Sequence, residues 1–379
     1  MVQLSAWLTS WLARVVPIAP ELRSAIMVCG IAAGIGSAYH APVAGVVFVL
    51  ELALGFFARH AVAPVLIASG TASSLIYLLV DPKPLYAVPA VTMQPAGLGF
   101  TLLAAVLFGA LGWTLLLLLE KSREGFARVA SLPLRLGLGG LLVGALSAFV
   151  PEAWGNGYSV VSEVLQGGHV WQWIAIVLLT KVVATALSSG SGAIGGVFTP
   201  SLFVGATAGS VLAQLASLWL PAAWVGDPRV LAIIGMAAVL TAVTHAPLMA
   251  IVMVLEMTNQ FQLTVPVMLA CAVAYAISTQ FGARPLYGNP IEAHRQVARV
   301  HLKGQLLEPR DDVRRSFLST PRSVIMNRYQ VTFFTRQDRR HRHQPIKEWL
   351  MDLAKSPGIA GSTSTAVEHG SASAGKRKP

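Results

Sequence analysis

The chain has 379 residues, of which 54% are hydrophobic and only 12% charged, with a mean hydropathy of +0.63. A soluble domain carries about a quarter charged residues, so an ordinary soluble enzyme is excluded. The charge is also uneven: residues 1–292 hold 11 Lys and Arg against 10 Asp and Glu, whereas residues 293–379 hold 17 against 7. Of the net +11, the tail therefore holds +10 and the body +1, and the body reads as an integral membrane protein.

In chain order, the opening MVQLSAWLTSWLARVV carries its arginine after the apolar run, unlike a cleaved secretion signal, and reads as a helix entered abruptly. Apolar runs then follow at about 24–58, 60–80, 97–119, 132–150, 170–187, 197–219, 229–257 and 262–281. Only Gly97–Leu119 has the unbroken length, about 20 residues, of a simple perpendicular span. Others are cut by Gly or Pro, as at Pro42, Gly195–Gly196, Pro200 and Pro247. Broken helices at membrane depth are tolerated where backbone lines an enclosed cavity or pathway, so the pattern points to a transporter or channel. Cys29 and Cys271 sit in apolar stretches and read as small buried hydrophobes. No Ser-His-Asp constellation, metal cluster or phosphate loop stands out, so neither enzyme activity nor a cofactor is expected. From Glu292 the sequence turns polar and Arg-rich, as in RQDRRHRH (336–343), and residues 293–379 read as a basic, disordered, cytoplasmic tail. Its arginines are read as solvated, with no nucleic-acid partner.

An internal repeat organises the body. Gly30–Phe56 aligns without gaps on Gly235–Phe261, with 11 identities in 27 positions, including His40/His245, Ala41/Ala246, Pro42/Pro247 and Glu51/Glu256. Paired, Pro-interrupted apolar segments point to a transport fold with its site at the repeat interface. The identities alone do not say whether the halves are parallel or inverted. In the second copy, SSGSGAIGGVFTP (188–200) and a helix over about Ser201–Leu220 precede Gly235; the first-half helix matching Ser201 onward starts near Met1. The first-half partner of the Gly-rich loop is therefore expected upstream of the given start.

The strongest single motif is Gly195-Gly196-Val197-Phe198-Thr199-Pro200. Glycines admit close approach, and unpaired N–H groups with a positive dipole at the following helix start can hold an anion without a cationic side chain. A Gly-rich loop that merely lets helices pack is the competing reading. Glu51 and Glu256 are intramembrane carboxylates, hence candidate functional groups. Their equivalent places near helix ends favour a structural role instead, accepting backbone hydrogen bonds. His40 and His245 read as helix-start caps, with pH sensing as the alternative. Lys181 either raises the potential of an anion pathway or snorkels to the interface.

With these motifs assembled, the chain resembles the CLC family of chloride channels and chloride/proton antiporters. The resemblance rests on GIAAGIGSAYHAPVAGVVFVLE (30–51), GNGY (155–158), SGAIGGVFTP (191–200), GMAAVLTAVTHAPLMAIVMVLEMTNQF (235–261) and RPLYG (284–288), in family order over about 1–290. It implies an all-α bundle of tilted and broken helices in two inverted halves, lacking the first helices of the first half. Residues 1–90 would be the remainder of that half and 97–292 the second half. It implies chloride as the transported ion, a homodimer with one pore per subunit, and a multi-pass place in the cell membrane's lipid bilayer. The anion site would comprise Gly196, Val197, Phe198 and Pro200, with the Val197 and Phe198 amides and the Tyr287 hydroxyl as ligands. The family's Gly-Ser-Gly-x-Pro loop and its loop with a gating glutamate have no counterpart here. Leu52 stands where proton-coupled members carry a second glutamate, which favours channel-like movement. A non-conducting membrane subunit, or transport of fluoride or nitrate, are the competing readings.

Overall fold

A computed structural model describes residues 2–16, 20–53, 62–80, 84–129, 131–282 and 286–287, together with four short strands beyond residue 339. The chain divides into two compact units, 1–307 and 308–379. In the second unit the described elements are two antiparallel pairs, β1 (Arg340–His341) with β2 (Gln344–Pro345), and β3 (Thr365–Glu368) with β4 (Ser371–Ala374). Most of the expected tail, 293–379, lies outside the described residues, as do Arg284, Pro285 and Gly288 of RPLYG.

The described part of the first unit is helical throughout. Its helices are α1 (Val2–Val15), α2 (Pro20–Tyr39), α3 (Pro42–Phe48) with a π-helical turn at Val49–Ala53, and α4 (Val62–Leu79). There follow α5 (Leu98–Ala127), α6 (Leu132–Phe149), α7 (Tyr158–Gln166), α8 (Trp171–Gly190) and α9 (Phe198–Ala216). The last four are α10 (Ala222–Val225), α11 (Pro228–Thr244), α12 (Pro247–Thr258) and α13 (Thr264–Gln280). Among the described residues, seven helical stretches are long and apolar enough to cross a membrane, where the sequence offered one unbroken span. Interior glycines account for the difference: Gly137, Gly140 and Gly144 punctuate α6 in sequence yet leave it continuous, as membrane helices tolerate them. At 30 residues α5 is about 45 Å long, more than the ~30 Å hydrocarbon core, so it tilts or projects.

Burial separates centre from rim. The stretch containing α11 is 78% buried, whereas α6 is 6% buried and presents Leu134, Leu141 and Phe149 outward. Bringing α11 to the centre depends on a close crossing with α9. A Cβ on Gly205 would lie 2.2 Å from the Gly235 carbonyl oxygen, and one on Gly209 would lie 2.2 Å from that of Leu231. Lipid tails give apolar helices little reason to associate, so such small-residue contacts, which bring backbones together, carry the packing.

The two long apolar runs that contain the repeat each break at the same point. His40 and His245 adopt φ of 52° and 56°, and the alanine after each has nearly the same extended backbone, φ −133° and −123°. The proline that follows cannot continue the preceding helix but suits the first position of the next one. The histidines therefore end α2 and α11, and the cap positions of α3 and α12 fall to Ala41 and Ala246, whose methyl groups cannot bond an amide. His245 instead pairs its Nε2 with Ser278 Oγ at 3.1 Å, and the Ser278 hydroxyl donates to the Ala242 carbonyl.

Candidate anion site at the repeat interface

The amides at the start of α3 and α12 are capped from the opposite repeat. Glu256, near the end of α12, accepts from the N–H groups of Val43 at 3.1 Å and Ala44 at 2.8 Å. Glu51, beyond the end of α3, accepts from Leu248 at 3.3 Å and Met249 at 2.7 Å. Both bonds of one set map onto both bonds of the other by the same sequence offset as the repeat. Each helix end reaches the other helix's start, so α3 and α12 run antiparallel, and the exchange of equivalent partners is that of a two-fold axis. The two copies are thus inverted, which the identities alone left open. Each carboxylate satisfies two orphan amides and faces the positive end of a helix dipole, which offsets the cost of its place in the membrane.

The start of α9 is arranged differently. Its helix begins at Phe198, three residues earlier than the sequence reading, with Val197 as the residue before it. Pro200 is accommodated in the first turn because its missing N–H would have been unpaired anyway. Among the described residues no side chain bonds the amides of this terminus, in contrast to α3 and α12, capped by Glu256 and Glu51, and to α11, capped by Asp227. Val197 and Phe198 are each only 6% exposed. Before them, a Cβ on Gly195 or Gly196 would meet nothing within 4 Å, and neither residue has a positive φ. These glycines therefore serve neither close packing nor a left-handed turn, and the space beside them is open.

Aromatic side chains from distant parts of the chain gather at this end of α9. The Tyr39 ring lies 5.3 Å from that of Phe198, and Phe48 lies 6.3 Å from Phe198 and 5.7 Å from Tyr287. The Tyr39 and Thr199 hydroxyls are hydrogen-bonded at 2.9 Å. Tyr287 is held there by its neighbour, since the Leu286 N–H donates to the Val243 carbonyl at 3.0 Å. Gly196, Val197, Phe198, Pro200 and Tyr287 thus share one neighbourhood. Tyr39, Phe48 and Thr199 join them without having been singled out in the sequence. Phe48 and Tyr39 both lie in the repeat, so the repeat interface was the available signal for them, and Thr199 lies inside the Gly-rich motif itself.

Lys181 lies apart from this cluster. It is 3% exposed, and its Nζ donates to the Ala153 carbonyl at 2.9 Å and that of Gly155 at 2.6 Å. The same ammonium sits 5.4 Å from the centre of the Phe203 ring. It does not snorkel; it fastens the loop before α7, whose Gly155 and Gly157 take φ of 64° and 80°. A second fastening is the strap of residues 84–94. The Tyr86 N–H donates to the Met257 carbonyl at 2.9 Å, its ring stacks on Tyr158, and Gln260 bonds the carbonyl of Val88 and the amide of Val91. Burial, with Tyr158 adding to it, raises the Tyr86 phenol above its ordinary pKa.

Residues 1–279 match the family model described as Voltage gated chloride channel. The chain belongs to this family of CLC proteins. It is 43% identical over 302 residues to a putative chloride channel protein, ClcB-like, of Ralstonia nicotianae, covering 78% of this chain and 70% of that one. It is 39% identical over 272 residues to a voltage-gated ClC-type chloride channel, ClcB, of Escherichia coli. That match covers 70% of this chain, which spans 64% of the relative's length. Among solved structures, a slow cyanobacterial Cl−/H+ antiporter superposes with a TM-score of 0.69 at 23% identity, over 78% of this chain and 70% of that one. A CLC-type fluoride/proton antiporter gives 0.65 at 28% identity, over 76% and 71%. The fold is therefore that of the CLC proteins, a membrane-embedded bundle of helices associated with anion transport.

Proposed function

We propose that this chain moves chloride across the cell membrane, with the anion passing the start of α9 and held there by the Val197 and Phe198 amides and the Tyr287 hydroxyl. One observation carries the reading. The chain places its own carboxylates on the starts of α3 and α12, whereas among the described residues no side chain caps the start of α9, which has open space at Gly195 and Gly196 and aromatic groups beside it. A helix start of that kind binds an anion through neutral donors, which suits passage because nothing traps the ion. The working unit in this reading is a homodimer in the lipid bilayer. Leu52, in the π-helical turn beside Glu51, has no titratable group to relay protons, and movement is therefore channel-like.

The test is chloride flux from liposomes holding the purified 379-residue chain, with parallel recording of proton movement. Chloride efflux without stoichiometric proton uptake is expected. Absence of anion flux beside an active control exchanger would leave the non-conducting subunit as the better reading, and coupled proton uptake would replace the channel-like one. Transport of another small anion is the second reading, supported by the 28% identity to a fluoride/proton antiporter. Fluoride efflux that outruns chloride efflux would favour it.

A further inference from the structure

We propose that the paired hydroxyls of Tyr39 and Thr199 form a selectivity-determining element of the anion pathway, supplying one O–H donor to an anion at the start of α9. The inference rests on the proposed passage of an anion there. Tyr39 ends α2 in the first repeat, and Thr199 directly follows Phe198 in the first turn of α9, so their hydrogen bond, 2.9 Å long, crosses between the two halves. Two hydroxyls carry two hydrogens, and the bond between them uses one, whichever group donates. Among the described residues neither hydroxyl has another bonding partner. One O–H is therefore always left over. Both residues are partly exposed, so neither is sealed in the core. The Tyr39 ring beside Phe198 fixes the pair next to the amides that the anion would meet. A hydrogen bond to a charged partner is the strong kind, and a compact anion gains more from it than a diffuse one.

The arithmetic of hydrogens gives a test that a purely structural clip fails. Tyr39→Phe leaves the Thr199 hydroxyl with its hydrogen free, and Thr199→Val does the same for Tyr39; each single variant retains one donor. The double variant has none. Chloride titration of the detergent-solubilised full chain by calorimetry is expected to show singles within about threefold of the parent and the double variant weaker by about tenfold or more. Tyr39→Phe with Thr199→Ser keeps one hydroxyl and is expected to bind like the singles. That comparison stands even where the valine variant proves less stable on thermal melting. A double variant that binds as well as either single, or a serine variant as weak as the valine one, overturns the proposal. A parent that binds no chloride at all overturns instead the reading of the α9 start as an anion site.

Discussion

The two copies of the repeat are alike at their junctions and unlike in their surroundings. Both end a helix at a left-handed histidine, start the next at Ala-Pro, and send a glutamate to the other's first amides. Around those junctions, every residue of α11 from Val230 to Thr244 is buried, whereas α2 is only partly buried. The helices that pack on them differ in the same sense. α9 meets α11 backbone to backbone at Gly205, while α1 meets Gly30 through the Thr9 side chain and leaves Leu4, Trp7, Leu8 and Trp11 between 51% and 64% exposed. Local geometry follows the shared sequence; burial follows whatever packs alongside.

The sharpest way to break this comparison is at the close crossings. Gly205→Leu drives side-chain atoms into the Gly235 backbone, which cannot give, and is expected to destabilise by about 3 kcal/mol or more, read as loss of a monodisperse peak in detergent. In the first copy, a Cβ on Gly30 lies 2.3 Å from Thr9 Cγ2, a side-chain atom. Gly30→Ala is therefore expected to cost less, and Thr9→Ala to relieve part of it; equal damage at both crossings would sink the distinction.

Next in size are the crossed carboxylates. Glu51→Ala and Glu256→Ala each strand two amides at a helix start, and each is expected to lower stability by about 1–2 kcal/mol in thermal melting. The two-fold relation requires the two losses to agree within about 0.5 kcal/mol. Glutamine retains an accepting oxygen, so both Gln variants should fall nearer the parent. A large drop for one carboxylate alone would mark it as something more than a cap.

Tyr287→Phe separates the anion ligand from the aromatic wall, because it keeps the ring that meets Phe48 and removes only the hydroxyl. Chloride affinity about tenfold weaker at unchanged melting temperature is expected; unchanged affinity removes Tyr287 from the site. The smallest stability effect is expected at Gly195→Ala, where the added methyl meets no atom within 4 Å and melting should move by no more than about 0.5 kcal/mol. A fall in chloride affinity there, without a change in melting, would assign the clear space to the ion.

Much of this was legible in the chain itself. The sparse charge required a membrane body, the Pro-interrupted repeat located the junctions, and the Gly-x-Phe-x-Pro motif marked the helix start left free of carboxylates. These features are local: a proline, a run of apolar residues or a pair of glycines acts on its own few neighbours whatever surrounds it. The tertiary structure decided what depends on distant partners. It set the antiparallel sense of the repeats through Glu51 and Glu256, and turned Lys181 inward to two carbonyls. It also brought Tyr39 to Thr199 across 160 residues of sequence. Hydrogen bonds and ring contacts of that range need both groups in place, and only packing of the whole bundle puts them there.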